Sequence, residues 1–166
     1  MKVYFSHGKE SGPWGTKIKR LATLAEEAGC AVTSVDYTLI PDPDERVAHL
    51  QAILAKETEP FVLVGSSMGG YVSLVTSGTV NAHGVFLLAP ALYMPDYDSQ
   101  EYPLNNKTIE IVHGWSDDII PAANSIRYAE AADCTLHLIS GDHRLNISLN
   151  VIEPLFLNFL TRCCNK

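Results

Sequence analysis

Phe61-Val62-Leu63-Val64-Gly65-Ser66-Ser67-Met68-Gly69-Gly70-Tyr71 decides how the rest of the sequence is read. A valine-rich apolar run stops at a glycine. Two serines and two more glycines follow, then a segment with helical potential. This is a G-x-S-x-G box between a buried strand and a helix, the setting in which a serine can be held out from the backbone on a sharp turn. Gly65 and Gly69 bracket Ser67, and no other serine sits between glycines at that spacing. The bland alternative is a glycine-rich turn without chemistry, so the flanking chain has to supply what a reactive serine needs.

Outward from this stretch, short apolar runs alternate with helical patterns. Val3-Tyr4-Phe5 reads as a strand ended by Ser6-His7-Gly8, and Lys9 to Gly15 as a loop. Ile18, Leu21, Ala22, Ala25 and Ala28 form a helical stripe stopped by Gly29. Ala31 to Val35 is a second strand. Asp42 can cap a helix with Pro43 in its first position and Glu45 three after the cap. Val47, Leu50 and Leu54 give that helix its inner face, and it ends before Pro60. The opening stretch supplies a strand over 61–65 and a helix over 68–77. Further strands are expected at Val85–Ala89, Ile109–Val112 and Leu136–Ile139. A helix starting near Pro121 separates the last two, and a final helix covers about 151–163, with Pro154 kinking it or lying in its first turn. Strands alternating with helices imply a mostly parallel six-stranded sheet in a three-layer α/β/α sandwich.

Composition narrows the class. The sequence has 166 residues, 46% of them apolar and 19% charged, with a net charge of −7. That suits one globular domain spanning 1–166. The acidic balance argues against nucleic acid, whose phosphates need a clustered basic face. Lys17, Lys19 and Arg20 read as the solvated side of a helix. No apolar run approaches the ~20 residues that span a membrane, and the N-terminus has no signal-peptide pattern. Cys30, Cys134, Cys163 and Cys164 show no metal-ligand spacing, and reduced thiols in a cytoplasmic protein are expected.

In a sheet of this kind, ligands sit beyond the carboxyl ends of the strands. Ser67 follows the third strand. The backbone N–H of Met68, at the helix start, points to where negative charge would develop on a substrate oxygen. His113-Gly114-Trp115-Ser116-Asp117-Asp118 follows the fifth strand. Asp117 is the candidate for orienting a histidine, with Asp118 its rival. His143 follows the sixth strand in a glycine-containing loop and is the candidate base. Asp142, its neighbour, would point elsewhere. After the first strand, Gly8 permits a turn that presents the Lys9 N–H as a second oxyanion donor, and His7 reads as a structural support of that loop.

These motifs together resemble the α/β-hydrolase superfamily, in its small, lid-less, serine-esterase-like form. The matching pieces are Ser6-His7-Gly8, Gly65-Ser66-Ser67-Met68-Gly69, His113-Gly114 with Asp117 and Pro121, and Gly141-Asp142-His143. The order Ser, Asp, His is the one that fold uses. The resemblance covers residues 2 to 160. It implies Ser67 as nucleophile, His143 as general base and then acid, Asp117 as orienter, and Met68 and Lys9 N–H groups as the oxyanion hole. It implies acyl transfer to water without metal or organic cofactor. Against the full family pattern the first two strands are missing, and only residues 90–107 stand where a cap domain is often inserted. An open site is expected, walled by Tyr93, Met94 and Tyr97 on one side and by the Lys9 to Trp14 loop on the other.

The expected function is therefore a serine hydrolase of small or medium carboxylic esters or thioesters, acting on a small molecule without nucleic-acid or membrane partners. A catalytically silent binding module is the alternative from another class. Non-hydrolytic use of the same three residues, as a lyase or perhydrolase, is the other.

Overall fold

The computed structural model describes residues 1–104 and 108–165. Its strands are β1 (Lys2–Ser6), β2 (Ala31–Val35), β3 (Phe61–Ser66), β4 (Gly84–Leu88), β5 (Thr108–Gly114) and β6 (Thr135–Ile139). Its helices are α1 (Thr16–Glu27), α2 (Pro43–Leu54), α3 (Met68–Ser77), α4 (Ala122–Ala132) and α5 (Leu149–Cys164). The strands form one sheet in the order β2-β1-β3-β4-β5-β6. Every pairing is parallel, so each connection must cross over a face of the sheet.

Parallel strands covered on both faces are buried throughout, and β3 is buried along its whole length. The side chains of β3 alternate between two cores. Val62 and Val64 face a cluster with Leu21 and Ala25 of α1 and Phe156 and Phe159 of α5. Phe61 and Leu63 face the other cluster, with Leu50 of α2, Val72 and Leu74 of α3 and Tyr128 of α4. Burying one such aliphatic or aromatic side chain contributes about 1.5–3 kcal/mol. These contacts hold β3 as an inner strand and fix the place where its carboxyl end emerges.

Helix ends follow local chemistry. Asp42 caps α2, its Oδ1 accepting from the Asp44 and Glu45 N–H groups at 2.8 and 2.9 Å. Gly29, at φ +82°, ends α1, and the Cys30 N–H returns to the Ala25 carbonyl at 2.9 Å. Some boundaries differ from the sequence expectation, and β5 runs on from Val112 to Gly114. The final helix begins at Leu149, preceded by a short 3-10 turn over Asn146–Ser148, so of the two places expected for Pro154 the first turn is excluded and it lies inside the helix, in its second turn. β4 stops before Ala89, whose φ of 42° takes it out of the extended region. The 90–107 segment is described up to Leu104, and its last three residues lie outside the described residues. Among the described residues, no helix is long and apolar enough to cross a membrane.

Candidate active site

The strand order reverses between β1 and β3. From β1 the chain crosses to β2 on one side, then returns to β3 on the other. A crevice opens outside the carboxyl ends of strands at such a point. Here it is a cleft of about 1160 Å³ whose walls include Gly8, Lys9, Ser67, Met68 and His143.

Ser67 sits between β3 and α3 at φ 55° and ψ −121°, a region that L-residues rarely adopt. The surroundings hold it there. Its N–H donates to the Leu88 carbonyl at 3.0 Å, and its carbonyl accepts from the Gly70 and Ala91 N–H groups, both at 2.9 Å. The turn is tight enough that a Cβ on Gly65 would stand 2.2 Å from the Gly69 oxygen. One on Gly69 would stand 2.0 Å from the Ser6 oxygen. Glycine at both positions is therefore a steric requirement.

Ser67 Oγ lies 3.0 Å from His143 Nε2, and His143 Nδ1 lies 2.8 Å from Asp117 Oδ2. A carboxylate beside Nδ1 assigns the proton to that nitrogen and leaves Nε2 to accept from the serine hydroxyl. The Asp117 side chain is fully buried. Burial pushes its pKa up, but the hydrogen bonds from His143 and the N–H groups of Ile120 and Ile119 outweigh that and hold the carboxyl below its ordinary value. Among the described residues Asp118 makes no such bond, and it lies exposed on the cleft wall. Asp142 turns into its own loop, accepting from the Leu145 N–H at 2.9 Å.

The first loop is built around His7, which is 1% exposed. Its Nε2 accepts from the Tyr37 N–H at 2.9 Å, which requires Nδ1 to carry a proton and donate it to the Gly8 carbonyl at 2.7 Å. Gly8 lies against the elbow, since a Cβ on it would be 3.4 Å from Ser67 Cβ. Met68 opens α3, where backbone N–H groups have no intrahelical acceptor.

Three sequence expectations are placed differently. Met94 and Tyr97 line the cleft, but Tyr93 does not. Its backbone is left-handed at φ 57°, its ring packs edge-on against Tyr102 at 5.1 Å, and the Arg127 guanidinium lies 3.8 Å above it. Trp14 is half exposed and also outside the cleft lining. Lys17, read from sequence as part of a solvated helix face, instead lines the cleft from the first turn of α1, and its ammonium donates to the Arg144 carbonyl. Burial, opposed by the charges of Asp142 and Asp117, pushes its pKa down to about 8.

Two buried residues were not singled out as site residues from sequence. His113, at the end of β5, has Nε2 3.0 Å from Asp117 Oδ2 and Nδ1 2.7 Å from Ser125 Oγ. Arg46 in α2 is 1% exposed. A signal for it existed, because it falls three after Pro43 and four before Leu50, on the buried stripe of its helix. Among the described residues, no group of three or more His, Cys, Asp or Glu side chains is arranged to hold a metal ion.

A parallel α/β/α sheet with a serine elbow at its switch point defines a member of the α/β-hydrolase superfamily. The chain belongs to the uncharacterised protein family UPF0227, whose profile matches residues 1–102. It is similar to a protein of Xanthomonas campestris pv. campestris assigned to the alpha/beta hydrolase superfamily. The two share 31% identity over 97% of this chain and 98% of that one, with a TM-score of 0.89. Est1E from Butyrivibrio proteoclasticus has the same fold at 17% identity, covering 99% and 88% of the two chains with a TM-score of 0.84. So does an α/β serine hydrolase without lid from Xanthomonas campestris, at 17% identity, 97% and 81% coverage and a TM-score of 0.67. No curated protein matches the sequence. These likenesses support an enzyme of the hydrolase class.

Proposed function

We propose that this chain is a serine hydrolase that cleaves small or medium carboxylic esters or thioesters through an acyl-enzyme. The observation that carries the reading is the hydrogen-bonded path from Ser67 Oγ through His143 to the buried Asp117 carboxylate. A serine hydroxyl is a poor nucleophile until a base takes its proton, and this path supplies the base and fixes its orientation.

In the first half-reaction, Ser67 Oγ bonds to the carbonyl carbon while its proton passes to His143 Nε2. The carbonyl π pair moves onto oxygen, where the Met68 and Lys9 N–H groups receive the negative charge. As that pair returns, the bond to the alcohol or thiol breaks, and the leaving group takes the proton from His143. Water then repeats the addition, giving its proton to His143. Collapse releases the acid and returns the proton to Ser67. Asp117 stays ionised and stabilises the imidazolium formed in each half. Likeness to a serine hydrolase without lid supports the reading, as does the open cleft.

The test is a panel of activated esters and thioesters of graded acyl length, run on wild type and Ser67→Ala, with a fluorophosphonate probe. Turnover lost in Ser67→Ala and labelling at Ser67 alone are expected. Full activity in the alanine variant would overturn the reading, and folded wild type that takes no label would favour a binding module.

A further inference from the structure

The geometry points to Arg46 as the positioning residue that aims the second oxyanion donor, the Lys9 N–H, into the cleft. This inference rests on the reading of Ser67 as the nucleophile.

Arg46 is 1% exposed, and among the described residues no carboxylate lies within salt-bridge distance of it. A buried charge without a counter-charge is costly unless its donors are satisfied. Among the described residues, Arg46's side-chain bonds all go to main-chain carbonyls. Nε donates to Ile40 at 2.6 Å, Nη1 to His7 and Gly8, both at 3.3 Å, and Nη2 to Tyr37 at 3.3 Å. The guanidinium also lies 5.3 Å from the centre of the Tyr37 ring. A methionine could fill the same space. Only a planar fork with several donors can tie the loop after β1 to the loop after β2.

One of these carbonyls bears on the chemistry. The Gly8 oxygen accepts from Arg46 Nη1 and from His7 Nδ1, on the buried side of the loop. The Gly8–Lys9 peptide is trans and planar, so its N–H points opposite to its C=O. With the oxygen drawn inward, the Lys9 N–H faces outward, where Gly8 and Lys9 line the cleft beside Ser67. No acceptor for that N–H is found among the described residues. A flip of this peptide would break both bonds at the oxygen and remove the donor from the cleft. The cationic donor also polarises the peptide through its carbonyl and strengthens the N–H at its other end.

The experiment compares wild type, Arg46→Gln and Arg46→Lys by steady-state kinetics on an activated ester and by inhibition with a trifluoromethyl ketone. The ketone takes Ser67 Oγ onto its carbonyl carbon, passes the serine proton to His143 and places the new oxyanion on the two N–H groups. Losing one oxyanion donor typically costs about 10²–10³ in kcat. Arg46→Gln is expected to lose about 10²-fold in kcat and a matching factor in ketone affinity, with KM within about twofold. The acid limb of its kcat profile should coincide with that of wild type. Arg46→Lys, which keeps a cation and part of the donor set, should fall between them on the same line. An unchanged kcat in a folded variant overturns the inference. So does a fall in kcat without a parallel loss of ketone affinity, or one that carries the acid limb with it. If Arg46→Gln shows no cooperative melt, Arg46→Lys decides by the same criteria. Wild type that neither turns over ester nor takes a fluorophosphonate overturns the serine-hydrolase reading itself, whereas active wild type with indifferent Arg46 variants overturns this inference alone.

Discussion

His113 Nε2 stands 3.0 Å from Asp117 Oδ2, the same oxygen that holds His143 at 2.8 Å. Asp117 Oδ1 accepts from the Ile119 and Ile120 N–H groups at 2.9 and 2.8 Å. Both oxygens therefore face only donors, and the carboxylate is gripped from two sides. His113 is itself anchored through Ser125 and is fully buried. The grip fixes where Asp117 points and, through it, where His143 points.

Asp117→Asn should be far more damaging than its size suggests. An amide has one oxygen, so its NH₂ must face either the two ring N–H groups or the two backbone N–H groups. Either choice opposes donor to donor or turns His143 to the wrong tautomer. A fall of about 10³–10⁴ in kcat is expected, with KM changed little. Steady-state kinetics on the best ester of the panel will check it.

Ser67→Gly should stabilise the protein while abolishing turnover. The φ of 55° and ψ of −121° at Ser67 are costly for serine and open to glycine. Relief of about 1 kcal/mol is expected, which is roughly 2–4 °C in Tm for a chain of this size. A calorimetric scan of the variant beside wild type and Ser67→Ala measures it. An unchanged or lower Tm would mean that the lost bond to His143, together with glycine's greater freedom in the unfolded chain, outweighs the strain.

Gly114→Ala should misplace His143 from a distance. A Cβ at 114 would lie 2.3 Å from the Gly141 oxygen and 2.8 Å from the Asp142 oxygen, so the loop bearing His143 must move. Overpacking of this sort costs about 1–3 kcal/mol, and a displacement near 1 Å can cost about 10²-fold in rate. Retained fold by circular dichroism with lost turnover is the expected pair of results.

Glu57 should steepen the loss of stability in acid. The hydroxyl of Tyr4, the Glu59 N–H and the Lys2 ammonium hold its pKa down at about 2. In the unfolded chain it returns to about 4.3. A depressed carboxyl contributes its full stability above the unfolded value and loses it as pH falls through the folded one. Between roughly pH 4.3 and 2, Glu57→Gln should therefore show a flatter decline than wild type in denaturant melts. Parallel curves would remove Glu57 from the account.

The strands and the elbow were legible in the sequence because each is written locally. The run before Gly65, the Asp42-Pro43 cap and the stop at Gly29 depend on neighbours a few residues away. That Ser67, Asp117 and His143 would meet at one edge of the sheet was legible for a related reason, since a parallel sheet delivers strand ends to one edge whatever the details between them. The bonds of Arg46 and His113 were not, although the place of Arg46 on the buried stripe of α2 marked it as buried. Arg46 acts through carbonyls at 7, 8, 37 and 40, and only folding brings those into reach. Tyr93 falls outside the cleft wall because its backbone is left-handed and its ring is held by Tyr102 and Arg127, contacts that leave no mark in composition. Lys17 was misread because the Arg144 carbonyl that it meets is 127 positions away in the chain.

The charges around the cleft differ in their meaning before and after a reaction. Glu10, Asp42, Asp96, Asp118 and Asp142 stand on its walls with Lys9, Lys17 and Arg144, leaving the rim negative on balance. On the proposed reaction, a neutral ester would cross that rim without electrostatic cost. The acid cut from it would carry a charge of the same sign as the surplus and be repelled once ionised. A cleft of this polarity would then shed an anionic product without a moving part, and salt, by screening the repulsion, should lengthen the product's stay.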